Sequence, residues 1–318
     1  MIARTQRGPE RLLKAGLAAC LLALALVPCR AEGGEPAPFA PPAASGQGAQ
    51  QGASPATAPY STSSRVDWAA RVLRIDVELD MAAAGLRLPE GRLEAERRLE
   101  KDVPGLAKDA VFAVQVDSYR SIEDTVADGS LDPGALVGLA ALARVESSSF
   151  SKDLRRFLTT YALSLDAVTS LFLTGAQPSP IRQPLESMPT RAYTGIVVYA
   201  KGSLPVHGEA VEGKASPCLF PRIYDTDMNL LLDRSLVLPE ALSGQDGGGG
   251  GVLGYASALG VEAGARVGAD PMRVMAVELF GDRRTDYVVS RQDALRILSS
   301  PGNRELLRRG RVVVVLDF

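Results

Sequence analysis

The chain has 318 residues, of which 46% are hydrophobic and 23% are charged, and its formal net charge is −2. This is the composition of a globular protein long enough for two domains. The slight acidity argues against nucleic-acid binding and against electrostatic binding to anionic lipid, because both need clustered basic residues.

The first 31 residues have the pattern of a secretory signal peptide. A basic start that includes Arg4 and Lys14 precedes the apolar run Ala15–Val27, and Ala31 offers a small residue for cleavage. The run is too short to span a bilayer as a helix. We therefore expect an exported protein. Cleavage removes five basic residues and one acid, which leaves a net charge of −6.

Two cysteines in this segment are candidate lipidation sites, Cys20 and Cys29. The four residues that end at Cys20 match a lipobox in letters, but the apolar stretch between Lys14 and this cysteine is very short. Cys29 lies at a suitable distance, but Pro28 occupies the place of a small residue. Cleavage after Ala31 without a lipid is the favoured alternative.

Residues 32–64 are rich in proline, glycine, alanine and serine, which predicts a disordered tether. A first domain is predicted over 65–176. Its clearest element is the strand Leu73–Met81, in which apolar and charged residues alternate. A helix follows from about Glu90, and its apolar face is predicted to hold Leu93, Leu99, Val103 and Leu106, with a kink or restart at Pro104.

The rest of this domain alternates between helix and strand patterns. Phe112–Val116 suits a strand or the end of a helix, and Asp132 followed by proline predicts a helix start. Phe157–Leu165 is strand-like, and Asp166 is placed to cap a short helix that ends at Leu173. The interleaved elements predict an α+β or α/β domain with about four strands.

A linker is predicted over 177–190 and a second α+β domain over 191–318. That domain opens with a strand from Thr194, and Leu219–Leu232 has the pattern of a hairpin. The glycine run Gly247–Gly251 predicts a flexible loop without specific contacts.

The C-terminal segment carries the strongest structural signal. Two strands are predicted at Met272–Phe280 and from Tyr287, followed by a helix that Ser290 caps and that resumes after Pro301. The final run Arg311–Phe318 is apolar without alternation, which is typical of a strand covered on both faces.

Candidate chemical residues all have simpler structural explanations. His207 is the one histidine and a candidate base, but it lies in a Pro/Gly turn without a nucleophile motif. Asp225, Asp227 and Asn229 begin like a calcium loop, but the required glycine and the closing glutamate are missing, so a hairpin turn is favoured. Cys218 is expected to be a buried hydrophobic residue.

Carboxylates and tyrosines complete the set of candidates. Asp76, Glu78 and Asp80 lie on the polar face of the alternating strand, where we expect a solvated surface. If a ligand pocket exists, its candidate liners are Tyr199, Tyr224 and Tyr255, for which a core position is the alternative. The sequence thus predicts no catalytic residue, no cofactor site and no metal site.

Two sets of residues carry a family resemblance. Asp67-Trp68 leading into a strand, and the stretch from Val116 to Val126, resemble the LPP20-like family of bacterial envelope proteins, and the segments at Tyr193, Phe220 and Asp286 are similar to a C-terminal extension of such proteins. The resemblance implies an outer-membrane lipoprotein or a structural part near the flagellar motor, without catalytic residues.

We therefore predict a non-enzymatic, exported cell-envelope protein, in the periplasm or on the periplasmic face of the outer membrane. It would act through contacts with envelope or outer-membrane proteins, in a flagellum-associated assembly or as a homo-oligomer, and would touch the membrane only through an N-terminal lipid. The alternative is a periplasmic module that binds a small ligand or glycan.

Overall fold

The computed structural model describes residues 59–173 and 177–318, and helices and strands occur in both stretches. The predicted α+β class is confirmed. The predicted signal peptide, the lipidation sites and most of the predicted tether lie outside the described residues. No helix among the described residues has the length and apolarity needed to cross a membrane.

The first half is built on a four-stranded antiparallel sheet with the order β1-β2-β4-β3. Its strands are β1 (Tyr60–Asp67), β2 (Val72–Asp80), β3 (Arg144–Phe150) and β4 (Arg156–Ser164). Alternate residues of β2 and β4 are buried on one face, as the alternation in the sequence predicts. β1 and β3 are the two edges, and their side chains are mostly exposed.

The described residues of this half form five helices: α1 (Gly91–Leu106), α2 (Lys108–Phe112), α3 (Ile122–Ala127), α4 (Pro133–Ala140) and α5 (Leu165–Ser170). α1 buries Ala95, Leu99 and Val103, which lie four residues apart on one face. The side chain of Asp132 accepts a hydrogen bond from Gly134 at the start of α4, so the predicted cap is confirmed.

Several predictions in this half are wrong in detail. Leu93 is 58% exposed, because the buried face of α1 runs through Ala95 instead. α1 continues past Pro104 to Leu106 instead of restarting there, whereas Phe112 ends a helix, which is one of the two alternatives predicted for it. α5 is capped by Ser164 instead of Asp166. β1 begins at Tyr60, inside the predicted tether.

The second half is built on a seven-stranded mixed sheet with the order β10-β13-β5-β11-β12-β8-β9, and a separate hairpin pairs β6 with β7. The strands are β5 (Ile196–Tyr199), β6 (Ser203–Pro205), β7 (Glu212–Lys214), β8 (Ile223–Asp225), β9 (Leu230–Leu232), β10 (Gly254–Ala256), β11 (Met272–Phe280), β12 (Asp286–Val289) and β13 (Val312–Val315). The helices are α6 (Pro239–Leu242), α7 (Val261–Val267), α8 (Arg291–Ser299) and α9 (Pro301–Arg308).

The C-terminal segment folds as the sequence predicts. β13 lies between β10 and β5, is parallel to both, and is buried on both faces. Ser290 caps α8 by accepting a hydrogen bond from the Asp293 backbone at 3.1 Å. Ser300 does the same for α9, so the chain restarts its helix directly after the break.

The two halves share one hydrophobic core. Backbone N–H groups of Leu219 and Phe220 donate to the carbonyls of Gln115 and Val116 at 3.0 and 2.9 Å. Phe172 of the first half packs edge-on against Phe220, with ring centroids 5.3 Å apart. The stretch from 177 to 194 therefore joins two halves that are in direct contact.

One glycine at this junction should be sensitive to substitution. Gly281 has φ +87°, and a Cβ there would lie 2.4 Å from Ser118 of the other half. We expect Gly281→Ala to lower the free energy of unfolding by about 2 to 5 kcal/mol, because it adds a clash to the positive-φ cost. Urea denaturation measures this change.

The matched control is Gly85→Ala. Gly85 also has a positive φ, +73°, but its Cβ would meet nothing within 4 Å. This variant should lose only the backbone cost of about 1 to 2 kcal/mol. Equal losses in the two variants would show that the contact at Ser118 does not hold the halves together.

Candidate functional site

The main concave site lies in the first half, between α1, the end of α4 and the β3 side of the sheet. We call it the sheet-edge pocket, and its volume is about 590 Å³. Most of its walls are apolar side chains: Leu99, Val103, Pro104, Ala140, Ala141, Ala143, Val145 and Phe157. Its polar lining residues are Glu96, Glu100, Arg144, Ser148, Thr159 and Tyr161.

The pocket exists because the helices cover only part of the sheet. The inward side chains of β4, which include Phe157 and Tyr161, are buried. Every residue of β3 from Arg144 to Ser149 is exposed. The chain passes directly from α4 into β3, with only Ala141–Ala143 between them, so a space remains between α1 and the uncovered edge.

One polar atom in the pocket has no partner. Thr159 is 5% exposed, and its hydroxyl has no hydrogen-bond partner among the described residues. A buried hydroxyl without a partner costs about 1 to 3 kcal/mol of stability. The hydroxyl oxygen itself has almost no surface accessible to solvent, so this cost belongs to the packing between the sheet and the helices.

The electrostatic environment of the pocket is set by nearby charges. Burial and then the negative charge of Glu100 raise the pKa of Tyr161 to about 12. Glu96 forms an ion pair with Arg92 at 3.0 Å. Among the described residues, neither Glu100 nor Arg144 takes part in an ion pair. The lining is thus mixed, with polar and apolar surface in similar amounts.

The sequence-predicted chemical residues lie elsewhere. His207 lies in the turn between β6 and β7, half-buried, with its Nδ1 2.6 Å from Glu278 Oε2. Asp225 accepts hydrogen bonds from the backbones of Asp227 and Asn229, at 2.9 and 2.8 Å. These bonds are those of a hairpin turn, and the described residues contain no cluster able to hold a metal ion.

The carboxylates of β2 form surface pairs. Asp76 accepts hydrogen bonds from Arg65 and Thr160 at 2.6 Å each, and Glu78 pairs with Arg156 at 3.1 Å. Asp80 accepts hydrogen bonds from the backbone of the turn that follows β2. They lie on the face of the sheet opposite to the pocket.

Cys218 is fully buried, and burial raises the pKa of its thiol to about 12, so it lacks the ionised character of a nucleophile. The hydroxyl of Tyr255 donates to the Cys218 carbonyl at 3.0 Å. Tyr255 also lines a second pocket of about 290 Å³, whose lining includes neither Tyr199 nor Tyr224. Both of those tyrosines are half-buried.

The prediction that the glycine run makes no specific contacts is wrong. Arg266, which is 7% exposed, donates to the carbonyls of Gly249, Gly250, Gly251 and Gly310 at 2.7 to 3.2 Å. Burial, and then the charge of Arg71, lower the pKa of Arg266 to about 9. The positive φ angles of the run turn its carbonyls towards one guanidinium.

The buried carboxyl of Asp286, the first residue of β12, was also not predicted from the sequence. Asp286 is 1% exposed; its Oδ1 accepts a hydrogen bond from the Arg222 backbone at 3.0 Å, and its Oδ2 has no partner among the described residues. Burial raises the pKa of Asp286 to about 6. The only sequence signal was an aspartate at the first position of an otherwise apolar strand.

Two family models match the chain. Residues 59–171 match the model described as the N-terminal domain of Treponema pallidum Tp0624. Residues 195–318 match the model described as the second domain of Treponema pallidum Tp0624. The chain is thus similar to these two domains, in the same order. No curated protein matches it. Neither model is described as LPP20-like, so that resemblance stays a prediction.

The raised pKa of Asp286 predicts a pH dependence of stability. Between about pH 4 and pH 6 the native carboxyl keeps a proton that the unfolded chain has released. The free energy of unfolding should therefore fall as the pH rises through this window, by about 3 kcal/mol from this group. Asp286→Asn should remove that part of the decrease, as measured by urea denaturation at several pH values.

Asp270→Asn is the control for this experiment. Asp270 is exposed, and its ion pair with Arg191 lowers the pKa of its carboxyl. This variant should keep the decrease that Asp286 causes in the wild type. A parallel pH profile for wild type and Asp286→Asn would contradict the burial argument.

Proposed function

We propose that this protein is a non-enzymatic component of the bacterial cell envelope that acts through contacts with other proteins. The N-terminal pattern of basic residues, apolar run and small cleavage residue supports export to the periplasm or to the periplasmic face of the outer membrane. The proline-rich segment that follows supports a tethered module.

The observation that carries the protein-contact proposal is the open edge of β3. Among residues 59–173 and 177–318 this strand pairs only with β4, so one row of its backbone N–H and C=O groups faces away from the described sheet. Leu142 and Val145, immediately before and within the strand, are 60% and 57% exposed. An extended segment of another envelope protein would add to this edge as a further strand, with backbone hydrogen bonds and apolar contacts.

The other edge strand of the same sheet, β1, supports the choice of β3 as the edge that binds a partner. Within the described residues β1 is also open, but its exposed centre from Ser61 to Arg65 holds no apolar side chain, whereas the otherwise polar β3 carries Val145 and follows Leu142. Polar and charged residues on an edge strand disfavour pairing with another chain. β3 also adjoins the sheet-edge pocket, which would take a side chain of the added strand.

Site-specific photo-crosslinking in living cells tests this proposal. A photoreactive residue in place of Val145 should give discrete adducts with envelope proteins, and one in place of Ser63 on β1 should give few. The adducts should weaken in Val145→Asp, because a charge opposes apolar contact at the edge. Equal adducts at the two edges, or none at Val145, would contradict the proposal.

A second candidate function is the binding of a small ligand, and the sheet-edge pocket is the observation that favours it. Its volume lies within the usual range for ligand sites, about 300 to 1,000 Å³. The two functions are compatible, since the pocket extends from the covered part of the sheet to the β3 edge.

A further inference from the structure

We propose that the second pocket, of about 290 Å³, binds a small oxyanion, namely inorganic phosphate or a small phosphate monoester. The pocket lies between the turn that joins β1 to β2 and the edge strand β10 with the loop and the helix α7 that follow it. We call it the arginine pocket, because Arg71 and Arg266 line it. It shares no residue with the sheet-edge pocket or with β3, so this proposal goes beyond the proposed functions and can fail independently of them.

The charge of the lining selects an anion. Among the described residues that form the lining, the charged ones are Arg71 and Arg266, which are 6% and 7% exposed. No described carboxylate lines the pocket, because Asp166, which binds Arg71 Nε at 2.7 Å, lies outside the lining. Four of the neutral lining residues are glycines, which leave the space free of side chains. A cavity walled by two cations attracts an anion and repels a cation.

Part of the hydrogen-bonding capacity of Arg71 is unused. Its Nε donates to Asp166 and its Nη2 donates to Thr169 at 3.1 Å, whereas its Nη1 has no acceptor among the described residues. This nitrogen is also not one of the partnerless side-chain atoms that are sealed from solvent, so a ligand in the pocket can reach it. Guanidinium and phosphate groups form short, charge-assisted hydrogen bonds, often two in parallel.

Arg266 completes the positive wall. Four of its five N–H groups donate to carbonyls of the glycine run and of Gly310, which leaves one N–H on Nη2. Gly251 adjoins both arginines, because its carbonyl accepts from Arg266 at 3.0 Å and a Cβ there would lie 2.5 Å from Arg71 Nη1. Two buried positive charges beside one residue repel each other, so a bound oxyanion would stabilise the folded protein.

The size of the pocket sets the class of the anion. Its volume is just below the usual range for drug-sized ligands, about 300 to 1,000 Å³, so it fits a phosphate group with a short body. Such a group is presented either by a free molecule or by the headgroup of an anionic lipid. The slight net acidity of the chain disfavours binding to an anionic membrane, which favours the free molecule.

Titration calorimetry of the protein purified from its own cells tests the proposal, with inorganic phosphate and glycerol 1-phosphate as probes at constant ionic strength. We expect saturable binding of both with a Kd of about 1 mM, and roughly tenfold weaker binding of acetate, which carries less charge. Sedimentation with phosphatidylglycerol vesicles should equal that with phosphatidylcholine vesicles. Equal heats for phosphate and chloride, or capture by phosphatidylglycerol vesicles without binding of either phosphate probe, would overturn the proposal.

Ala258→Glu tests the charge of the pocket. Ala258 is exposed and lines the pocket, so a carboxylate there would repel the oxyanion without disturbing the core. The variant should weaken phosphate binding roughly tenfold. Ala258→Gln is the matched control, with the same size and no charge, and should change the affinity by less than about twofold. Equal losses in the two variants would contradict selection of the ligand by charge.

Asp166→Asn should act in the opposite direction. The amide keeps an oxygen for Arg71 Nε and removes the negative charge beside the guanidinium, so phosphate should bind roughly threefold more tightly. Asp153→Asn is the control: Asp153 is exposed in the turn before β4, at the other end of this strand, and its variant should leave the affinity unchanged. An unchanged or lower affinity in Asp166→Asn, with the fold intact by NMR of methyl groups, would contradict a direct contact between Arg71 and the ligand.

Discussion

The architecture of the first half depends on how much of its sheet one helix can cover. The apolar stripe of α1, formed by Ala95, Leu99 and Val103, is about one side chain wide and packs on the buried face of the sheet. α4 ends where the chain must turn into β3. The outer strand is therefore left without a helix above it, and this incomplete cover creates the sheet-edge pocket beside the open edge of β3.

The shared core offsets the stability that this incomplete cover costs. The buried residues of the first sheet, of α1 and of the seven-stranded sheet belong to one hydrophobic cluster. Buried β13 and the contacts of Phe220 with the first half add stability far from the pocket. A hydroxyl without a partner at Thr159 can persist because the rest of the structure offsets its cost, a pattern found at functional sites.

The sequence predicts those elements whose signals are local. Alternation defines β2, the Ser290 cap defines α8, and an unbroken valine run defines β13. β1 and β3 could not be predicted, because polar edge strands bury no face and so show no periodicity.

The candidate site is predictable only in part. Thr159 can be recognised in the sequence as an inward residue of β4. Whether it lies beside a pocket depends on where α1 and α4 end over the sheet. The role of the glycine run also escaped prediction, because the four carbonyls that Arg266 binds come from residues far from it in sequence. Such sites depend on long-range packing that a single sequence does not display.

Native mass spectrometry of the protein, gently purified from its own cells, tests the central claim most directly. The account predicts that the wild-type protein carries a bound partner protein, and that Val145→Asp loses it while it remains folded. A wild-type mass equal to that of the chain alone, or a partner that Val145→Asp retains, would contradict the account.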